Sequence, residues 1–386
     1  MELCIFQHIL RDPAIANLLA GHGSDAMQDI ILFAETSAVT DDAVKEYIIS
    51  LLANDENILS FLAQSGKTIG DSLHDAALSD LETIFETLLE PSYMLYRPSG
   101  NAPGFFTGYI SSIRTLCAQT SPSALLDALI VHYRTLGCGV LAKYIAFKYD
   151  NGLCGISDTD TITFDSLIGL DYQKQILIDN TKAFVDRKRA NNVLLFGDRG
   201  TGKSSSVKAL LNLFYPEGLR VIELPKQAIS SIPSLMQTLS AKPHQYILFL
   251  DDLSFEAHES DYRALKVAME GQLQASPANV LVYATSNRRH LIKESWADRE
   301  GGDVHVNDNL QETLSLSERF GISLVFSAPT QKEYLNIVSE LLSQHQIDMT
   351  AEIERKAIVW QMNYSGRSGR CAKQFVSSYL SKLGTK

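Results

Sequence analysis

The segment Gly197-Asp198-Arg199-Gly200-Thr201-Gly202-Lys203-Ser204 restricts the possible folds of this chain more than any other part of it. The pattern GxxxxGK followed by Ser or Thr needs a strand before it and a helix after it. Both are signalled here, by the apolar run Val193-Leu194-Leu195-Phe196 and by the helical spacing after Lys203. In such a loop the glycines let the backbone wrap around phosphate oxygens, and its amides converge at the positive end of the helix. Lys203 then reaches the β- and γ-phosphates, and the Ser204 hydroxyl ligates Mg²⁺.

The surroundings agree with that loop. Short aliphatic or β-branched runs at 193–196, 220–224, 246–250, 280–284 and 322–326 alternate with helical segments at 203–214, 229–240 and 262–274. The runs are apolar throughout rather than alternating, which suits strands covered on both faces of a parallel sheet. A doubly wound α/β domain is therefore predicted, with ligands at the carboxyl ends of its strands. From Thr330 onward three helical segments follow, at 331–345, 350–362 and 369–383. Residues 1–150 read as helical, with apolar positions such as Leu73, Ala77, Leu81, Ile84, Phe85 and Leu88 at three- and four-residue spacing. The Gly-, Ser- and Asp-rich stretch 150–163 reads as a linker.

The chain has 386 residues, more than one compact core normally holds. Its charge is uneven: residues 1–150 carry 8 Lys and Arg against 18 Asp and Glu, a net of −10 out of −11 for the whole chain. Phosphate contacts dominate nucleic-acid affinity and leave a basic footprint, so the acidic N-terminal part argues for a protein partner instead. No apolar run is long enough to span a membrane, and the start MELCIFQHILRD lacks the pattern of a signal peptide. The five cysteines show no CxxC pairing and read as reduced thiols in a cytoplasmic protein.

The run Ile247-Leu248-Phe249-Leu250 ends in Asp251-Asp252. A strand delivering carboxylates beside a phosphate loop is the Walker B arrangement, in which Asp251 holds the Mg²⁺ shell and Asp252 orients the attacking water. Glu256 is the rival for the second task. Ser204, Ser205 and Ser206 lack the GxSxG frame of a nucleophile elbow. His305, with Asp303 and Asp308, reads as part of an acidic loop, and Arg187-Lys188-Arg189 as a solvated helix end.

These motifs, with Phe164-Asp165-Ser166-Leu167-Ile168-Gly169-Leu170 and Ala284-Thr285-Ser286-Asn287-Arg288-Arg289, resemble the AAA+ ATPases. The stretches GDRGTGKSSSVKALLN, LFLDDLSFE, DYRALKVAMEGQL, YATSNRRHLIKE and LSLSERFGISLVF resemble, more closely, a bacterial AAA+ family labelled domain-of-unknown-function 815. The resemblance implies three parts: an all-α N-terminal domain (1–150), an α/β core with a five-stranded parallel sheet (160–328) and a small helical lid (329–386).

It also implies site residues. Ile168 and Gly169 would lie by the adenine, and Gly197, Asp198, Arg199, Gly200, Thr201, Gly202, Lys203, Ser204 and Ser205 would hold the ATP phosphates. Asn287 would be the sensor-1 residue, though a helix N-cap is its ordinary alternative. Arg319 would be the arginine finger acting on a neighbouring subunit of a homo-oligomeric ring, unless it simply pairs with Glu318 or another local acid. Arg370, rather than Arg367, would be the lid's sensor-2 arginine. The function so implied is Mg²⁺-dependent ATP hydrolysis that remodels a protein partner. The alternatives are a nucleic-acid-remodelling factor of the helicase-loader or initiator type, and a nucleotide switch with negligible hydrolysis.

Overall fold

The structure, a computed structural model, describes residues 1–91, 96–99, 104–253, 265, 266, 269, 277–287, 319–363 and 366–383. Its contacts divide the chain into two compact units: Met1–Thr159 with Thr238–His244, and Asp160–Gln237 with Gln245–Lys386.

The first unit is a helical assembly around a core that includes Phe6, Ile15, Ile30, Leu52, Leu81 and Tyr133. Helix starts follow the signals in the sequence. Asp12 caps Pro13–Leu19, and Ser121 caps Pro122–Thr135, with Pro at the first helical position in both. The buried Asp80 carboxylate accepts the backbone N–H groups of Cys4, Ile5 and Phe6, at 2.9, 2.6 and 3.0 Å, and so anchors the N-terminal segment.

This unit is not wholly helical. Strands β1 (Ala146–Tyr149) and β2 (Leu153–Gly155) form an antiparallel hairpin in which Tyr149 faces Leu153. Asn151 takes a φ of +52°, as a tight hairpin turn requires, and the Asp150 amide donates to the Gly152 carbonyl at 2.9 Å. The described residues thus hold seven strands where five were expected, and the irregular stretch after the hairpin shrinks to 156–163.

His132 is a buried titratable group of this unit. Its Nδ1 lies 2.7 Å from Ser112 Oγ, between the rings of Tyr109 and Tyr133. Burial pushes its pKa down to about 4. Between the ordinary histidine value and about 4 the unfolded chain takes up a proton that the folded one refuses, so stability rises with pH across that window. Acidification should therefore remove up to about 3 kcal/mol of stability. Denaturant melts of the full chain at pH 7 and pH 4.5 check this. In His132→Gln the acid-side loss should shrink, and an unchanged pH slope would contradict the assignment.

The second unit is built on five parallel strands: β3 (Val193–Gly197), β4 (Leu219–Glu223), β5 (Gln245–Leu250), β6 (Val280–Ser286) and β7 (Ile322–Phe326). Their order is β4-β5-β6-β3-β7. β5 and β6 are buried along their whole length, as their unbroken apolar runs predict. The register pairs Phe196 with Ser286 and Leu250 with Ala284, which brings the ends of β3, β5 and β6 to one edge of the sheet.

Helices Asp171–Val185, Lys203–Phe214 and Ile232–Ser240 accompany these strands. The segment expected as one helix over 229–240 is instead a 3-10 turn, Lys226–Ser231, followed by the shorter α-helix. Three C-terminal helices, Gln331–Ser343, Ala351–Asn363 and Gly369–Leu383, share a small core that includes Tyr334, Leu342, Cys371 and Phe375. The first opens with a reciprocal capping box between Thr330 and Glu333. Ile168 packs against this same small core. No helix among the described residues is long and apolar enough to cross a membrane.

Candidate nucleotide-binding site

At the carboxyl edge of the sheet, β3 runs into the glycine-rich loop, and the sheet itself dictates where glycine must stand. Gly197 takes a φ of +133°, and a Cβ there would lie 2.2 Å from the Phe326 carbonyl oxygen of β7. Gly200 takes a φ of +74°, and its carbonyl accepts the Arg370 amide at 3.2 Å, tying the loop to the last helix. Asp198 secures the other side, its carboxylate accepting the Ala328 amide at 2.7 Å.

Lys203 is buried, and its Nζ donates to the carbonyls of Gly197 (2.9 Å) and Asp198 (2.6 Å) and to Asn287 Oδ1 (3.1 Å). Burial lowers its pKa from the ordinary lysine value, while the nearby Asp198, Asp252 and Asp251 carboxylates oppose that shift. Ser204 Oγ donates to Asp251 Oδ1 at 2.6 Å. Asn287 Nδ2 donates to Asp252 Oδ1 at 2.5 Å. One network therefore joins residues from the ends of β3, β5 and β6.

A cavity of about 640 Å³ opens over this network. One part of its wall is apolar, with Ile162, Leu167, Ile168, Leu170, Ile337 and Leu341. The remainder carries Arg199, Lys203, Arg370 and Lys373 against Asp251 and Asp252, four cations facing two carboxylates. An apolar wall beside a net-cationic one suits a ligand with a flat base at one end and a polyanion at the other.

The Ser204 hydroxyl and the Asp251 carboxylate are two oxygen donors on the same side of the loop, a set that fits Mg²⁺. No cluster of three His, Cys, Asp or Glu residues capable of holding a metal occurs among the described residues. A Mg²⁺ site beside phosphates needs only one or two oxygens from the protein.

Of the residues named from sequence, Ile168, Arg199, Gly200, Thr201, Gly202, Lys203, Ser204, Ser205, Asp251, Asp252, Asn287 and Arg370 line the cavity. Gly197 and Asp198 shape the loop from behind. Gly169 stands in an exposed turn with a φ of +76° and does not line the cavity. Arg319 is half-buried just ahead of β7 and does not line it either, nor does the exposed Arg367. Glu256, Arg288, Arg289, His305 and Glu318 lie outside the described residues, as does the helix expected at 262–274 apart from residues 265, 266 and 269.

Thr285 was missed in the sequence. Its buried Oγ1 donates to Asp251 Oδ1 at 2.5 Å and accepts the Asp252 amide at 2.8 Å, while its carbonyl accepts the Leu253 amide at 2.7 Å. This clamp holds Asp252 at a φ of +52°, a left-handed conformation that Asp tolerates better than most residues. Lys373 and Gln374 were missed too. They follow Arg370 at helical spacing and so face the same cavity.

No curated protein matches the chain. Among solved structures it is similar to the Thermotoga maritima RuvB Holliday junction branch migration motor, with 17% identity over 58% of this chain and 67% of that one, at a TM-score of 0.38. It is also similar to the FIGL-1 AAA domain in complex with ADP, with 19% identity over 59% of this chain and 75% of that one, at a TM-score of 0.37. The fold is that of an AAA+ P-loop protein: the phosphate loop follows a strand set between two parallel neighbours, and the paired carboxylates end the strand two places away. Residues 142–383, well over half of the chain, match the family described as "Protein of unknown function (DUF815)", and the chain belongs to that family.

Proposed function

We propose that this chain binds ATP with Mg²⁺ and hydrolyses it, using the cycle to remodel a protein partner. The observation that carries this reading is the hydrogen-bonded network Lys203–Asn287–Asp252 and Ser204–Asp251 under a net-cationic cavity. Lys203 would exchange its loop carbonyls for β- and γ-phosphate oxygens. Ser204 and Asp251 would hold Mg²⁺, which would supply positive charge to offset that of the phosphates. Asp252 would orient a water in line with the γ-phosphorus and take up its proton, with Asn287 fixing the direction of the carboxylate. Arg370, on the helix bonded to Gly200, would report closure of the three C-terminal helices (329–386) as a lid. The core would span 160–328, and the base would sit against Ile168, with Gly169 in the adjoining turn.

Arg319 would serve the next subunit of a homo-oligomeric ring. The acidic 1–150 segment would be the partner-binding domain, its net charge of −10 favouring a basic protein surface over nucleic acid. Five free cysteines support a cytoplasmic setting.

Binding is tested first at Lys203. Lys203→Ala should lose about 3 kcal/mol of nucleotide affinity, about 10²-fold, because charge-assisted bonds to phosphate disappear. Its melting temperature should hold, since the substitution removes a cation that burial disfavours. Unchanged ATP affinity by fluorescence titration in a folded Lys203→Ala protein would contradict the site.

A further inference from the structure

We propose that Asn212 is the positioning residue for the nucleoside end of the site, holding Ile162 in the wall against which a base would lie. The proposal rests on the ATP-binding part of the reading above and is independent of hydrolysis. Five of the six apolar wall residues have their own support. Ile337 and Leu341 belong to the helix Gln331–Ser343, and Ile168 packs against the small C-terminal core. Leu167 and Leu170 lie against Gly202 of the phosphate loop, within 3.7 and 3.1 Å of where a Cβ would stand. Ile162 lies instead in the irregular stretch 156–163, where neither helix nor strand fixes the backbone.

Its hold comes from the side. Asn212 sits on the phosphate-loop helix Lys203–Phe214 and directs its side-chain amide at that stretch. Nδ2 donates to the Asp160 carbonyl at 2.7 Å and to the Ile162 carbonyl at 2.8 Å. The Ile162 amide donates to Asp160 Oδ1 at 3.2 Å. Both backbone polar groups of Ile162 are thus engaged, and its apolar side chain is what remains to meet a ligand. Lys208 Nζ adds an ion pair with Asp160 Oδ2 at 3.1 Å, but solvent reaches both partners and screens it. The Asn212 amide is therefore the main hold.

Ser204, Lys208 and Asn212 recur every four residues and share one face of the helix. Asn212 stands about 12 Å along the axis from Ser204. The first turn of this helix therefore serves the phosphate loop, while its third turn fixes a residue of the apolar wall. One rigid element would grip a nucleotide at both ends. Loss of the Asn212 amide should then weaken the hold on the base and spare that on the phosphates.

Titration calorimetry on the full chain with Mg²⁺ tests this, reading affinity for ATP and for inorganic tripolyphosphate, which has no nucleoside. Asn212→Ala should bind ATP about tenfold more weakly, within the range that one or two hydrogen bonds supply, and tripolyphosphate within about twofold of wild type. Ile162→Ala should show the same pattern. The double variant should lie within about twofold of Ile162→Ala alone, because Asn212 acts through Ile162. Three results would overturn the assignment: unchanged ATP affinity in a folded Asn212→Ala protein, an equal loss for both ligands, or losses that add in the double variant. Each of them leaves ATP binding itself standing. A wild type that binds neither ligand would sink the ATP reading, and the proposal with it.

Discussion

Arg319→Ala should bind ATP almost as the wild type does and hydrolyse it about 10³–10⁵-fold more slowly. The residue stands half-buried just ahead of β7, outside the lining of the cavity in its own chain. Its guanidinium is therefore proposed to complete the site of another subunit, where it would match the negative charge that builds on the γ-phosphate oxygens in the transition state. A shared site makes a second result follow. Mixing Arg319→Ala with Lys203→Ala, which keeps its arginine but binds nucleotide about 10²-fold more weakly, should restore part of the activity at mixed interfaces. Turnover per subunit should also climb with protein concentration as subunits assemble. A concentration-independent rate with no rescue on mixing would show that Arg319 does not act between chains.

The Asp252→Asn substitution should separate binding from turnover, keeping ATP while losing about 10²–10⁴-fold in rate. Geometry makes it a clean substitution. Asn tolerates the left-handed backbone that Asp252 adopts, and its amide oxygen can still accept from Asn287 Nδ2. The Asp251–Ser204 pair is untouched. What is lost is the negative carboxylate that would direct and deprotonate the water. Normal turnover in Asp252→Asn, together with its collapse in Glu256→Gln, would move the base to Glu256.

Much of the nucleotide-binding unit was legible in the sequence because its signals are local. The phosphate loop carries its own strand and helix, and the helices Lys203–Phe214 and Gly369–Leu383 run between the residues that the periodicity marks. The buried strands β5 and β6 were readable because both faces are covered and nearly every position is therefore apolar. The β1–β2 hairpin was missed for the opposite reason. Ala-Phe-Lys-Tyr and Leu-Cys-Gly are short and hold no β-branched residue, so the Asn151-Gly152 turn signal between them looked like a linker.

Thr285 shows a different limit. In sequence it is one more residue at the end of an apolar run. Its bonds to Asp251 and Asp252 exist only because β5 and β6 are paired in one register. The contacts of Thr238–His244 with the first unit are likewise a product of tertiary packing, which no composition shift announces.

Steady-state phosphate release from the purified full chain, with and without Mg²⁺, decides whether the phosphate loop and Asp252 hydrolyse ATP. Sustained release from ATP should require Mg²⁺, be lost in Lys203→Ala, and fall by about 10²-fold or more in Asp252→Asn. Release that persists unchanged in Lys203→Ala, or a wild type that binds ATP and never turns it over, would contradict that reading.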